Sequence, residues 1–152
     1  MEILNYPETT FEKLPVTIFQ EANEGAVNAA HEIANIIRSR QKEGRNAVLG
    51  LATGSTPIGL YAELVRMHKE EGLSFKNVIT FNLDEYYPLE KDAYQSYHSF
   101  MHQHLFSLVD MDPANIHIPD GEWPKEEIKK YCLDLSPKVN FFNSGGISFI
   151  AF

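Results

Sequence analysis

A loop of small residues is the first feature of the sequence that could do chemistry. Thr53, Gly54, Ser55 and Thr56 follow an apolar run and precede a proline that can open a helix. Backbone amides in such a loop are unscreened, and the helix start adds unpaired amides and the positive end of its dipole. The loop therefore predicts a phosphate site, with an ordinary strand-to-helix turn as the alternative. It matches neither the Walker pattern nor the dinucleotide fingerprint.

An acidic pair, Asp84 and Glu85, follows the next apolar run. Ligands of open parallel sheets bind at the carboxyl ends of strands, so this loop and the small-residue loop should face one crevice. A carboxylate beside an anion site is a candidate general base. The alternative is a solvated turn, or a carboxylate that accepts hydrogen bonds from backbone amides. Tyr86 and Tyr87 could line a sugar pocket or simply anchor the loop.

Two histidines, His98 and His102, lie four residues apart on a predicted helix, and His104 follows. This spacing can bind a metal, but neither an HExxH motif nor an acidic residue at a matching helical offset accompanies it. We therefore predict no metal site and expect the helix to expose these histidines. The side chains predicted to form its buried stripe are Tyr97, Phe100, Met101, Leu105 and Phe106.

Composition restricts the class of protein that can carry these loops. The 152 residues have a formal net charge of −8, which argues against general nucleic-acid binding because that needs a basic face. We find no secretory signal and no apolar run near the ~20 residues of a membrane span. The single cysteine, Cys132, excludes an intrachain disulfide framework and a multi-cysteine zinc site. A reducing cytoplasm is the default expectation.

Hydrophobic periodicity supplies the elements that must position the loops. It predicts helices over residues 21–43, 57–72, 93–108 and 123–133. Apolar runs predict buried strands over residues 46–52, 76–83 and 146–152, with short strands over 16–20 and 115–119. Strands that alternate with helices indicate an α/β fold with a mainly parallel sheet and flanking helices. We assign this domain to residues 16–152, behind a surface arm of residues 1–15.

Several segments, in the same order, resemble the glucosamine-6-phosphate deaminase family. They are LGLATGSTPIGLYAELVRMHKEEGLSF, VITFNLDEYYPL, YQSYHSFMHQHLF and NIHIPDG. The resemblance runs from about Ala47 to Gly121, and more loosely from Val16 to Leu133. It implies a Rossmann-like fold shared with ribose-5-phosphate isomerases and 6-phosphogluconolactonases.

The resemblance also implies a reaction and roles for the two loops. Glucosamine 6-phosphate, a small phosphosugar, would become fructose 6-phosphate and ammonia without a metal or organic cofactor. Asp84 matches the enolisation base, which takes a proton from C2 of the opened sugar and returns it at C1. Residues 53–56 match the loop that holds the substrate, and Glu85 and Tyr86 are candidate supporting residues.

Two other functions stay open beside this one. The related lactonases carry Asp-Glu-Arg where this chain has Asp84, Glu85 and Tyr86, which favours a deaminase over a lactonase. A non-catalytic module that binds sugar phosphates would keep residues 53–56 and would not need Asp84.

The resemblance weakens toward the end of the sequence. The family carries a later Asp-Gly-His segment followed by Asn-Glu-Pro, which opens the sugar ring, and further basic residues that clamp the phosphate. GISFIAF resembles the strand that leads there, and the sequence ends at Phe152. Residues 134–145 also depart from the family. We therefore expect an incomplete, truncated domain with slow or absent turnover, and leave open a homo-oligomer of the complete protein.

Overall fold

The computed structural model of the chain describes residues 16–124, 126–127, 130 and 148–149. Within these residues four parallel strands form one sheet in the order β3-β2-β1-β4. The strands are β1 (Ala47–Leu51), β2 (Val78–Asn82), β3 (Ile116–His117) and β4 (Ser148–Phe149). The predicted parallel α/β sheet is thus confirmed, and the 146–152 segment pairs with β1 where it is described.

Helices connect and cover the strands, as the alternating pattern predicts. They are α1 (Ala22–Lys42), α2 (Ile58–Glu71) and α3 (Tyr97–His104), with short 3₁₀ turns at Phe106–Leu108 and Pro113–Asn115. Gly72 ends α2 in the left-handed conformation, at φ 70°, which glycine adopts without strain. None of the helices in the described ranges is long and apolar enough to cross a membrane.

Two predicted elements are wrong in extent. Residues 16–20 do not form a strand, and the apolar side chains of Val16 and Ile18 are exposed. The helix predicted over residues 93–108 is only α3 and the following 3₁₀ turn. It begins late because Ser96 caps it, and it ends at Leu105, whose φ of −144° is not helical. The arm of residues 1–15 and most of the helix predicted over 123–133 lie outside the described residues.

The core lies between the sheet and the first two helices. Its largest buried side chains include Ile33, Leu49, Tyr61, Leu64 and Phe75. The buried positions of α1 recur at helical spacing, as expected for an amphipathic helix. On β1 burial alternates, and Val48 is only half-buried. The expectation that β1 is covered on both faces therefore holds only in part, because the second face carries less protein in the described ranges.

Candidate active site

Both predicted loops leave the sheet at its carboxyl edge. Strands β1 and β2 pair in parallel register, and their last pair is Leu51 with Asn82. Two residues beyond that pair stand Thr53 on one strand and Asp84 on the other. The Asn82 side-chain amide donates to the Leu51 carbonyl at 3.1 Å and ties the two strand ends together. The predicted shared edge is therefore present.

The small-residue loop has the open backbone that an anion site requires. Gly54 has a φ of +103°, where a side chain would be strained, and a Cβ there would meet nothing within 4 Å. Ser55 and Thr56 are exposed, and Thr53 is half-buried. Pro57 is the N-cap of α2 rather than its first helical residue, so the helix begins one position later than the sequence pattern predicts. The amides of the first turn of α2, which have no partner within the helix, come directly after Pro57 in the chain.

A buried tyrosine fixes the point where this loop begins. The Tyr61 hydroxyl donates to the Ala52 carbonyl, and Tyr61 is fully buried in α2. Burial raises the pKa of Tyr61 well above its usual value, although the contact with Ala52 lowers it in part. The hydroxyl therefore stays protonated and remains a donor. The Tyr61 hydrogen bond therefore fixes the start of the loop, while Ser55 and Thr56 remain exposed to solvent.

Glu85 performs the capping role that was an alternative for the acidic pair. Its Oε1 accepts hydrogen bonds from the amides of Tyr86 and Tyr97, both at 2.9 Å. Its Oε2 accepts from the His98 amide at 2.9 Å. Glu85 therefore binds the start of α3 to the loop after β2, and its carboxylate is occupied by backbone donors.

Tyr97 is placed differently from the prediction, which assigned it to the buried stripe of its helix. Hydrogen bonding to Tyr86 raises the pKa of Tyr97, and burial and the charge of Asp84 raise it further. A hydrogen bond with Thr53 acts in the opposite direction on the same pKa. The Tyr97 hydroxyl thus lies beside groups from both loops. Its side chain is half-buried rather than buried.

Asp84 itself is exposed at this edge, and it is close enough to Tyr97 for its charge to influence the hydroxyl. Tyr86 is 54% exposed, and its ring lies 4.8 Å from that of Tyr97, measured between centroids. Tyr87 is 45% exposed. The structure thus places Asp84 and the pair of Tyr86 and Tyr97 at the strand edge from which the small-residue loop also leaves.

The histidines are placed differently from the prediction. His98 and His102 are half-buried, their rings lie 4.4 Å apart, and both line a cavity of about 290 Å³ beside β3. Burial lowers the pKa of each, and the charge of Lys91 lowers both further. The same cavity is lined by Ile116 of β3 and by Ile118. Among the described residues no three acidic, histidine or cysteine side chains could hold a metal.

Comparison with known proteins assigns the chain to a family. Residues 20–147 match the family described as glucosamine-6-phosphate isomerases/6-phosphogluconolactonase. The chain belongs to this family. Within it, glucosamine-6-phosphate deaminase 2 of Giardia intestinalis is 52% identical over 102 residues, which cover 67% of this chain and 37% of that protein. Glucosamine-6-phosphate deaminase of Caenorhabditis elegans is 40% identical over 134 residues, 88% of this chain and 49% of its own length.

Solved structures of the family agree with the fold. A monomeric glucosamine-6-phosphate deaminase is 37% identical with a TM-score of 0.73, over 82% of this chain and 49% of that one. The 6-phosphogluconolactonase of Thermotoga maritima shares the fold at 22% identity, with a TM-score of 0.60 over 75% of this chain and 51% of that one. The chain thus spans about half, or less, of the length of these relatives.

Proposed function

We propose that this chain is part of a glucosamine-6-phosphate deaminase, with residues 53–56 as its phosphate-binding loop and Asp84 as its enolisation base. The parallel register in which β1 and β2 end together, with Thr53 and Asp84 each two residues beyond the last pair, is the observation that carries this proposal. It brings an anion-binding loop and a carboxylate to the same strand edge, where ligands of parallel sheets bind. Three deaminases among the relatives support the substrate class.

The proposed chemistry uses each group for one task. Amides of residues 53–56 and of the first turn of α2 hold the phosphate. Asp84 removes the proton from C2 of the open-chain amino sugar, the electron pair forms a C1–C2 double bond, and the former carbonyl oxygen at C1 takes up a proton from water. Return of a proton at C1 gives a C2 imine, which water hydrolyses to fructose 6-phosphate and ammonia.

The remaining parts of the proposal concern organisation and setting. Residues 16–152 form part of one α/β domain, and residues 1–15 form an arm that precedes it. A cytoplasmic setting is supported by the single cysteine. A small phosphosugar is the proposed partner, since a net charge of −8 disfavours nucleic acid.

A partial reaction tests the base without requiring the sugar ring to be opened by the protein. Fructose 6-phosphate spends part of its time open in water, and a base near C1 would exchange its C1 protons for deuterium in D₂O. We expect the chain to catalyse this exchange, followed by loss of the C1 proton signals in NMR spectra. Asp84→Asn should slow the catalysed exchange by ~10²–10⁴-fold, the usual contribution of a general base.

The matched control is Asp92→Asn, because the Asp92 side chain is 97% exposed and its charge is likewise negative. Exchange by this variant should equal that of the parent chain. Exchange unaffected by Asp84→Asn contradicts the base assignment. Hydrolysis of a 6-phosphogluconolactone in place of exchange would favour the lactonase, and saturable sugar-phosphate binding with no exchange would favour the non-catalytic module.

A further inference from the structure

We propose that the turn after β3, residues 120–122, positions the loop after β2, residues 83–91, with Gly121 and Glu122 as the positioning residues. The inference rests on the proposed function, because the placement of this loop matters for catalysis only if Asp84 is the base. Neither positioning residue needs to touch the sugar. Their role is to fix the backbone that carries the base.

The turn after β3 lies at the same edge of the sheet as the two site loops. Strand β3 pairs with β2 in parallel, and Phe81 stands opposite His117. Asp84 follows Phe81 by three residues, and Asp120 follows His117 by three residues. The two segments therefore leave neighbouring strands side by side, at the carboxyl edge where ligands of parallel sheets bind.

Side-chain packing does little to fix the loop after β2. None of residues 83–91 is buried, and Leu83 is 75% exposed. Glu85 and Lys91 line the cavity of about 290 Å³ beside β3, so this part of the loop borders open volume rather than packed side chains. The position of the loop therefore depends on hydrogen bonds to its backbone. Glu85 supplies those at its start, and the turn after β3 supplies others further along.

Gly121 is in close contact with the backbone of the loop. Its carbonyl accepts a hydrogen bond from the Leu89 amide at 3.1 Å. A Cβ at this position would lie 2.5 Å from the Tyr86 carbonyl oxygen and 2.7 Å from that of Leu89, so a glycine is needed for the two backbones to approach. Tyr86 is two residues from Asp84. The contact therefore reaches close to the proposed base.

Glu122 holds the far end of the same loop. Its Oε2 accepts a hydrogen bond from the Lys91 amide at 3.2 Å. The Glu122 amide donates to Oδ1 of Asp120 at 2.9 Å, which fixes the turn itself. The Lys91 carbonyl accepts from the Ser96 hydroxyl at 2.7 Å, so the Lys91 backbone is held on both sides. A hydrogen bond to an ionised carboxylate is stronger than a neutral one, which suits this anchoring role.

Three variants of the full 152-residue chain test the inference. Glu122→Ala removes the acceptor of the Lys91 amide, whereas Glu122→Gln keeps a side-chain oxygen that can accept the same hydrogen bond. Glu127→Ala is the control, since Glu127 is an exposed glutamate close by in the chain. Each variant is assayed for C1 proton exchange on fructose 6-phosphate and is titrated with inorganic phosphate.

We expect Glu122→Ala to lower the turnover rate of C1 exchange about 10-fold, because a displaced base loses its alignment with the sugar. Its affinity for inorganic phosphate should equal that of the parent, since residues 53–56 are untouched. Glu122→Gln should recover most of the lost rate, and Glu127→Ala should match the parent. The positioning role is overturned if Glu122→Ala exchanges at the parent rate, if it loses phosphate affinity in parallel, or if Glu122→Gln is equally slow.

NMR spectra of backbone amides report on the contact without requiring turnover. In Glu122→Ala the Leu89 and Lys91 amides should exchange with solvent deuterium about 10-fold faster, because their opening no longer breaks the contact with the turn. The Asp84 amide signal should shift in this variant and return in Glu122→Gln. An Asp84 signal that does not move would overturn the inference. If it moves while the parent chain catalyses no C1 exchange, the proposed function fails and the turn still positions the loop.

Discussion

Asparagine side chains tie backbone segments together at both edges of the sheet, but the two edges have different roles. At the amino edge, the Asn77 amide donates to the carbonyls of Ile37 and Arg45, at 3.3 and 3.2 Å. At the carboxyl edge, the Asn82 amide donates to the Leu51 carbonyl. Asn77 directly precedes β2 and Asn82 is its last residue, and the Oδ1 of each is buried without a hydrogen-bond partner in the described chain.

A carboxylate completes each edge. Asp110 accepts hydrogen bonds from the Phe75 amide at 2.6 Å and from the Ser74 hydroxyl at 2.8 Å. At the other edge, Glu85 accepts hydrogen bonds from the amides at the start of α3. In both cases a carboxylate holds the backbone of a segment distant in sequence, which charge-assisted hydrogen bonds do well.

The difference lies in what the fixed backbone leaves outside. At the amino edge Phe75 is fully buried, so the contacts close the structure. At the carboxyl edge Leu83 is 75% exposed, and Asp84 and Tyr86 are also exposed. A fixed backbone with exposed side chains is what a binding edge needs, whereas a fixed backbone with buried side chains stabilises the fold.

The largest effect on the free energy of unfolding should come from a change in the hydrophobic core, which supports both edges of the sheet alike. Leu64→Ala removes a fully buried side chain of α2 and should lower the free energy of unfolding by ~2–5 kcal/mol. Ile58→Ala on the same helix is the control, because Ile58 is 37% exposed, and should change it by about 0.5 kcal/mol. Urea unfolding followed by circular dichroism measures both. Equal losses in the two variants would mean that the core is not where the structure has it.

A smaller effect should distinguish the carboxyl edge from the body of the domain. Gly121→Ala would put a Cβ 2.5 Å from the Tyr86 carbonyl oxygen and 2.7 Å from that of Leu89. Backbone atoms cannot give way cheaply, so we expect about 1–3 kcal/mol of destabilisation and slower C1 exchange. In the control Gly59→Ala, the new Cβ meets only Ala26 at 3.4 Å, and a helical alanine should be neutral or stabilising. Unchanged exchange in Gly121→Ala would show that the loop tolerates displacement.

The next prediction concerns pH and the amino edge. Burial raises the pKa of Asp110, but the hydrogen bonds from Phe75 and Ser74 lower it, and the net pKa is below its usual value. A depressed folded-state pKa contributes stability above the unfolded pKa of ~3.9, and that contribution is lost as the pH falls through the folded value.

Asp110→Asn should therefore cost about 1–2 kcal/mol at neutral pH and flatten the loss of stability on acidification. Urea unfolding from pH 7 down to acid conditions follows both quantities. The C1 exchange rate should be unchanged at neutral pH, because Asp110 lies at the opposite edge. Slower exchange in this variant would break the separation between the edges.

The smallest effect is expected where ion pairs are most numerous. Arg66 contacts Glu63, Glu70 and Glu71 on the surface of α2, at 2.7 to 3.0 Å. Exposed pairs are screened by water and salt, so Arg66→Met should leave the unfolding midpoint almost unchanged. Thermal unfolding at low and high salt measures this. A large loss that persists at high salt would indicate packing by the arginine stem.

Much of the fold was predictable because its signals are local. The apolar runs at β1 and β2 and the periodicity of α1 predict these elements to within two residues at either end. The extent of α3 was not predictable in this way. Its periodic stripe continues past Leu105, but the cap at Ser96 and the turn at Leu105 limit it to eight residues. The cavity beside β3 depends on where that short helix lies.

The residues of the candidate site also differ in how far the sequence predicts their role. Residues 53–56 and the acidic pair stand out because small residues and carboxylates directly after strands indicate a ligand edge in a parallel sheet. Tyr97 gives no such signal, since a tyrosine on an amphipathic helix is indistinguishable from a core residue. Its ring contact with Tyr86 became visible only with α3 placed beside the loop after β2.

The sequence by itself determined the alternation of strands and helices, the open loop at Gly54 and the presence of a carboxylate on the same edge, because each depends on neighbours in the chain. Only the tertiary structure decided that Glu85 holds the start of α3 and that the rings of Tyr86 and Tyr97 lie together beside the loop after β2. Hydrogen bonds between segments far apart in sequence depend on strand register and helix placement, and neither leaves a mark in local composition.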